Sequence, residues 1–102
     1  MLKRNLPPIH PGEVLKEEFI VENGLTVSEV AKGLGIARAN LSAIVNGRTN
    51  ISPDMAVKLG EAFGNTSLFW MNLQKNYDLW HAEKRVDRKV IRHFWKKDAS
   101  IV

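Results

Sequence analysis

Two short amphipathic segments joined by a glycine turn, between residues 26 and 46, constrain the fold of this chain most. Thr26 and Glu29 stand three residues apart at the start of the first segment, which is the pattern of a capping box. Gly35 closes that segment, at a position where a left-handed helix end costs glycine little. Apolar residues recur between these signals at the helical spacing i, i+3, i+4 and i+7: Val27, Val30, Ala31 and Leu34. The spacing predicts a short helix followed by a tight turn.

The second segment predicts another helix, over about residues 38–46. Leu41, Ile44 and Val45 form its apolar side. The opposite side is narrow and carries small or polar residues: Arg38, Ala39, Asn40, Ser42 and Ala43. Two helices crossing over a turn of about three or four residues are typical of a helix-turn-helix, whose second helix enters the major groove of DNA. An ordinary helical hairpin shows the same periodicity, so the pattern alone leaves both interpretations open.

Charge favours the DNA-binding interpretation. No acidic residue occurs between Lys32 and Asp54, while Arg38 opens the second helix and Arg48 follows its end. The net charge of +4 gives weaker support, because residues 1–82 hold eight Lys/Arg and eight Asp/Glu, whereas residues 83–102 hold seven and three. The basic excess therefore belongs to the tail. One interpretation is that the tail adds non-specific attraction to DNA phosphates.

Composition argues against several other classes of protein. A chain of 102 residues, 44% hydrophobic, is one small domain without room for a catalytic lobe. There are no cysteines, and the histidines at positions 10, 81 and 93 lack metal-ligand spacing. No glycine-rich phosphate loop is present. We therefore expect no enzyme activity, no metal and no cofactor. No apolar run approaches the roughly 18 residues of a membrane span, so we expect a cytoplasmic protein without membrane contact.

The chain divides into an N-terminal arm (residues 1–9), a helical domain (residues 10–82) and a basic tail (residues 83–102). The first helix is expected from Pro11 to about Asn23, and its acidic side is expected to point away from DNA. The fourth follows the Ser52 cap, and its expected core residues are Met55, Ala56, Leu59, Ala62 and Phe63. The fifth follows Thr66. The pattern predicts an all-α, five-helix domain.

The fifth helix carries a broad apolar stripe, for which the sequence leaves two interpretations open. It is either core or a dimer interface, because aromatic residues serve both purposes. The stripe consists of Phe69, Trp70, Leu73, Tyr77 and Trp80.

The tail also has several interpretations. Apolar and basic residues alternate near helical spacing, so an amphipathic helix that folds back on the domain or on the other subunit is one of them. The others are a segment that binds a protein toxin, a second DNA contact, and a segment lying on an anionic membrane.

Physical chemistry assigns roles to the residues of the helix-turn-helix. Arg38 is best placed for a bidentate contact to guanine, with a phosphate contact or a plain surface charge as the alternatives. Ala39 is suited to a thymine methyl group, and Asn40 and Ser42 to base edges or backbone. The first turn after residue 26 presents backbone amides to a phosphate, and Arg48 is the expected phosphate ligand of the following loop. The complete predicted DNA-binding set is Thr26, Val27, Ser28, Arg38, Ala39, Asn40, Ser42, Asn46, Arg48 and Thr49.

Motifs well beyond the helix-turn-helix carry a resemblance to a known family. They are HPGEVLKEEF at residues 10–19, LSAIVNGRTNIS at 41–52, DMAVKLGEAFG at 54–64 and FWMNLQKNYDLW at 69–80. The chain resembles the HigA antitoxins of the xenobiotic-response-element superfamily, also called virulence-associated protein I or plasmid-maintenance antidotes. The resemblance covers about residues 9–82 and stops before the basic tail.

The resemblance implies a lambda-repressor-like domain of five helices that dimerises through its C-terminal helix. It further implies a protein that represses its own toxin–antitoxin operon and neutralises a HigB-type ribonuclease toxin. The expected partners are therefore double-stranded operator DNA, a second copy of the chain and the toxin. A free-standing helix-turn-helix transcription regulator without a toxin partner is the alternative.

Overall fold

The computed structural model describes residues 6–95, which contain five helices and no strand. The first helix, α1, begins as Pro11–Val14 and continues with π-helical hydrogen bonding over Leu15–Val21. The others are α2 (Val27–Leu34), α3 (Arg38–Val45), α4 (Pro53–Phe63) and α5 (Ser67–Arg85). The predicted all-α, five-helix fold is confirmed. Within residues 6–95 no helix is long and apolar enough to cross a membrane.

The helix ends follow the capping residues of the sequence. The Thr26 hydroxyl accepts a hydrogen bond from the Glu29 amide at 3.1 Å, and the Glu29 carboxylate accepts one from the Thr26 amide at 2.9 Å. Gly35 takes the left-handed conformation with φ of 71°, which closes α2. Ser52 and Thr66 cap α4 and α5 with their hydroxyl groups. Local signals therefore determine where these three helices begin.

The core forms where all five helices meet, with Trp70 of α5 fully buried inside it. The Phe19 ring of α1 packs against the Trp70 ring at 4.9 Å and the Phe63 ring at 5.4 Å between centroids. Ile51 is also buried, although its place in a loop gave no periodic signal. Ala62 is exposed, so its predicted place in the core is wrong.

A buried side chain on α5, that of Gln74, holds the loop that follows α3. Its Oε1 accepts a hydrogen bond from the Ile51 amide at 2.7 Å, and its Nε2 donates to the Asp78 carboxylate at 2.9 Å. Both ends of the side-chain amide are thus paired, as a buried polar group requires. The loop between α3 and α4 is fixed to α5 at this point.

The N-terminal end of α1 and the C-terminal end of α3 approach each other so closely that only glycine fits. A Cβ atom built on Gly12 would lie 1.7 Å from the Ile44 carbonyl oxygen. Gly12 is buried in the first turn of α1. Because no rotamer moves a Cβ, a larger residue would have to separate the two helices.

The described part of the tail does not form the predicted amphipathic helix. Helix α5 continues to Arg85, and a 3₁₀ turn over Arg88–Val90 follows. All residues from 83 to 95 are exposed, so the amphipathic helix packed on the domain is wrong for this part of the tail. A short segment rich in β-branched residues makes only a marginal helix in water without a packing surface. The rest of the tail (residues 96–102) and the first five residues of the arm lie outside the described residues.

Substitution of Gly12 tests the contact between α1 and α3. Gly12→Ala is expected to lower the free energy of unfolding by about 1–3 kcal/mol, the usual cost of overpacking. Gly33→Ala is the matched control, because Gly33 lies inside α2 and a Cβ there meets nothing within 4 Å. It is expected to stabilise by about 0.5–1 kcal/mol through helix propensity. Urea denaturation measures both; equal effects of the two variants would contradict this contact.

Candidate nucleic-acid interface

The first turn of α3 is the most exposed part of the helix-turn-helix. Arg38, Ala39 and Asn40 are consecutive and all exposed. The buried residues Leu41, Ile44 and Val45 fix the opposite side of α3 to the core. Ala37 precedes the helix with extended backbone and its carbonyl accepts from the Asn40 amide at 3.0 Å, but it offers no side-chain cap to the amides of Arg38 and Ala39. The turn presents a guanidinium, small side chains and backbone donors.

Two further predicted residues, Ser42 and Asn46, lie one turn apart towards the other end of α3. The Asn46 side-chain nitrogen donates to the Ser42 carbonyl at 2.8 Å and to the Ser42 hydroxyl at 3.2 Å. Ser42 is half-buried and Asn46 is exposed. These bonds hold the two side chains together through the Asn46 nitrogen and the Ser42 hydroxyl, and the Asn46 Oδ1 takes no part in them.

The start of α2 supplies backbone more than side chains. The Thr26 hydroxyl is used in the capping box, and Val27 is half-buried against the core. Ser28 is exposed in the first turn. Since the first turn of an α-helix leaves amides without intrahelical partners, this end of α2 suits an anionic oxygen. Thr26 thus acts as a cap, and Ser28 is the member of the three with an available side chain.

The loop after α3 places Arg48 and Thr49 beside the same helix. The amides of both residues donate to the Ala43 carbonyl, at 2.8 Å and 3.3 Å, with Gly47 in the left-handed conformation before them. Their side chains are exposed, as is that of Asn50. This backbone arrangement and the Ile51 anchor together define where the Arg48 side chain begins.

The acidic side of α1 does not point wholly away from this surface, contrary to the prediction. Glu13 and Glu17 line a cleft of about 430 Å³ together with Asn46 and Gly47. The approach of α1 to the end of α3 at Gly12 brings these carboxylates there. The acid-free strip in the sequence is therefore bordered by acidic residues at the C-terminal end of α3, whereas Arg38 lies at the N-terminal end of this helix.

The predicted dimer residues take different positions. Trp70 has no exposed surface, so it is a core residue and its prediction as an interface residue is wrong. The half-buried Leu73 packs on the core, and Phe69 is 38% exposed with its ring against Phe19 and Trp70. Tyr77 and Trp80 are half-buried and both contact the His81 ring.

A different face of α5 is both apolar and uncovered. It forms an open groove of about 600 Å³, lined by Leu68, Met71, Asn72, Gln74, Lys75, Asp78, Leu79 and Ala82. Leu68 is 65% exposed and Leu79 is 54% exposed. None of the five predicted interface residues of the stripe lines this groove.

Two residues that position the interface were missed from the sequence, Gly12 and Gln74. Each left a signal. A glycine in the first turn of a helix, directly after proline, is consistent with a close approach of another backbone. A glutamine four residues after Trp70, on the apolar side of α5, indicates a buried hydrogen bond.

His10 joins three elements next to this surface. Its Nδ1 accepts a hydrogen bond from the Gly12 amide at 2.8 Å and so caps α1. Its ring lies edge-on to Tyr77 of α5 at 4.8 Å and beside Gly47. Burial lowers the pKa of His10, although Asp78 and Glu13 partly oppose this. Among residues 6–95, no cluster of three His, Cys, Asp or Glu residues could hold a metal.

Comparison with known proteins identifies the family. The helix-turn-helix family model matches residues 15–71. The antitoxin HigA-1 of Vibrio cholerae is 39% identical over 85 residues, which cover 83% of this chain and 80% of the relative. The chain belongs to the helix-turn-helix family, in the group of the HigA antitoxins.

Solved structures agree with this assignment. A HigA-family addiction module antidote protein from Coxiella burnetii matches with a TM-score of 0.76 and 40% identity, over 83% of this chain and 92% of the other. The antitoxin HigA of Pseudomonas aeruginosa, solved with the higBA promoter, matches with a TM-score of 0.76 and 35% identity, over 86% and 99%. The five helices described above are thus arranged as in HigA proteins.

The lowered pKa of His10 predicts a loss of stability in mild acid. The unfolded chain takes up a proton at His10 near its ordinary pKa of about 6.5, while the folded chain resists it, so stability falls as the pH drops below that value. His10→Asn should keep the cap and remove this titration. Urea midpoints between about pH 7.5 and 5.5 should therefore decline less in the variant than in the wild type. Identical declines would exclude His10 as the cause.

Proposed function

We propose that this chain is an operator-binding antitoxin. As a homodimer it represses its own toxin–antitoxin operon, and it neutralises a ribonuclease toxin of the HigB type by binding it. The observation that carries the DNA-binding part is the exposed first turn of α3, where Arg38 lies within a run of 24 residues (30–53) without an acid. Membership of the HigA group supports the antitoxin part.

Roles within the interface follow from exposure and existing hydrogen bonds. Arg38 contacts a guanine in the major groove, with Ala39 and Asn40 against neighbouring base edges. Arg48 contacts a phosphate, joined by the exposed residues Ser28 and Thr49. Ser42 and Asn46 stay paired and pack near the groove wall. Thr26 and Val27 contribute by holding α2 in place.

Replacement of Arg38 tests base recognition. Arg38→Ala is expected to cost about 1–3 kcal/mol of binding free energy on the operator and to relax the preference at one base pair. Fluorescence anisotropy, with duplexes from the DNA upstream of the chain's own gene and their single-base variants, measures both quantities. Unchanged preference at every position would overturn the base-reading role.

Arg48→Ala is the matched control, since it removes the same charge from the neighbouring loop. It is expected to weaken operator and scrambled duplexes by the same factor and to reduce the slope of log K against log salt by about one. A loss confined to the operator would contradict the phosphate role of Arg48. Failure of the wild type to bind any duplex at low salt would contradict the proposed function itself.

The uncovered face of α5 is where we place the second copy of the chain. Four stripe residues already have contacts within the subunit: Phe69, Leu73, Tyr77 and Trp80. By contrast, Leu68 and Leu79 are largely exposed beside Met71. Burial of apolar surface of this kind drives association. A two-fold dimer presents two α3 helices to half-sites about 34 Å apart, as a pseudo-palindromic operator requires.

A charge placed in the groove should separate the two copies. Leu79→Asp is expected to give monomers, because dimerisation would then bury a carboxylate in place of an apolar side chain. Operator affinity should fall, since a monomer binds only one half-site. Trp80→Ala changes the adjoining aromatic stripe and should leave the dimer intact. Analytical ultracentrifugation measures the oligomeric state of both variants. If only Trp80→Ala is monomeric, the dimer interface is the aromatic stripe and not the groove.

The toxin partner is tested separately from DNA binding. Co-expression with the product of a short reading frame next to this gene should yield a stable complex and remove growth inhibition by that product. DNA binding without any such complex would favour a free-standing transcription regulator.

A further inference from the structure

We infer that residues 84–95, called the basic segment below, form a second, sequence-independent contact to DNA. The inference rests on the proposed operator binding and adds a surface outside the helix-turn-helix. Every residue of the basic segment is exposed, including the apolar ones, whose exposed fractions lie between 47% and 83%. The segment therefore does not contribute to the core and is available to a partner.

The charges of this segment are arranged so that its cations face outward. Five cationic residues lie within nine positions, a density of positive charge found nowhere else in the described chain: Lys84, Arg85, Arg88, Lys89 and Arg92. The two nearby acids are used locally: Glu83 pairs with Arg88, and Asp87 accepts a hydrogen bond from the Lys89 amide at 3.0 Å. Lys84 lies over the Trp80 ring and Arg92 over the Phe94 ring, each at 5.0 Å. Such stacking orients a cation while leaving it accessible.

The middle of α5 lies beside the loop that carries Arg48, and the basic segment begins further along the same helix. Helix α5 is hydrogen-bonded to that loop through Gln74 and Ile51, and Tyr77 contacts His10 next to Gly47. From Gln74 to Arg85 the helix advances about 16 Å, and ten further residues extend by up to about 30 Å. This reach is similar to one turn of DNA, about 34 Å. The cations can therefore follow the phosphates next to the bound half-site.

Other partners fit the basic segment less well. Binding to an anionic membrane surface favours an amphipathic helix with a single apolar face, whereas this segment is helical only at Lys84 and Arg85 and then continues as irregular backbone with one 3₁₀ turn. Residues 1–82 contain equal numbers of acidic and basic groups, so the tail supplies the excess positive charge that a polyanion such as DNA would meet. Phosphates of a duplex match this charge and its extended form.

Neutralisation of four cations in the full-length chain tests the inference. The variant carries Lys84→Gln, Arg85→Gln, Lys89→Gln and Arg92→Gln, and Arg88 stays because it pairs with Glu83. The slope of log K against log salt should fall by about 2–4 on both the operator and a scrambled duplex of equal length. The ratio of the two affinities should stay the same, because no base contact is lost.

Two single variants, each of which removes one positive charge, compare the basic segment with another exposed position. Lys89→Gln should reduce the slope by up to about 0.9, while Lys58→Gln, which removes an exposed lysine from α4, should leave it unchanged. Circular dichroism should show the same helix content in all variants, because the basic segment is outside the core.

The outcomes separate this inference from the proposed function. If the wild type prefers the operator and the four-cation variant keeps the same salt slope, the basic segment does not contact DNA and the inference is overturned. If, in addition, that variant loses binding to phosphatidylserine vesicles that the wild type binds, the segment is a membrane contact. If the wild type binds neither duplex, operator binding itself fails and this inference fails with it.

Discussion

The hydrogen bond between the Gln74 side chain and the Ile51 amide holds together the parts that a DNA-binding surface needs. It is buried, and an unpaired buried amide costs about 1–3 kcal/mol, so the loop after α3 cannot easily leave α5. Arg48 extends from that loop, and its amide also closes the end of α3. Through one side chain, α5 therefore fixes the position of the loop that carries Arg48, the residue proposed to contact a phosphate.

Local signals were sufficient to predict most helix ends and the outward side of α3. The capping box at Thr26, the left-handed Gly35 and the Ser52 and Thr66 caps act through backbone groups within a few residues, so they need no knowledge of the tertiary structure. The exposure of Arg38, Ala39 and Asn40 also follows from periodicity alone. The family was recognisable because its motifs extend beyond the helix-turn-helix.

Features that depend on distant partners could not be predicted in this way. Whether Trp70 faced the core or a second subunit depended on Phe19, which lies 51 positions away and fills the same space. The acidic side of α1 came close to α3 only because Gly12 allows an unusually short distance between backbones. The tail showed apolar periodicity, but a periodic segment forms a stable helix only where another surface covers it.

The exposed turn of α3 makes no contribution to the core, and this separates recognition from folding. The fold is secured through Leu41, Ile44 and Val45, while Arg38, Ala39 and Asn40 lie on the other side without packing partners in the core. Exchanges at such surface positions usually change stability by no more than about 0.5 kcal/mol. The outward residues of this turn can therefore be exchanged while the scaffold stays the same.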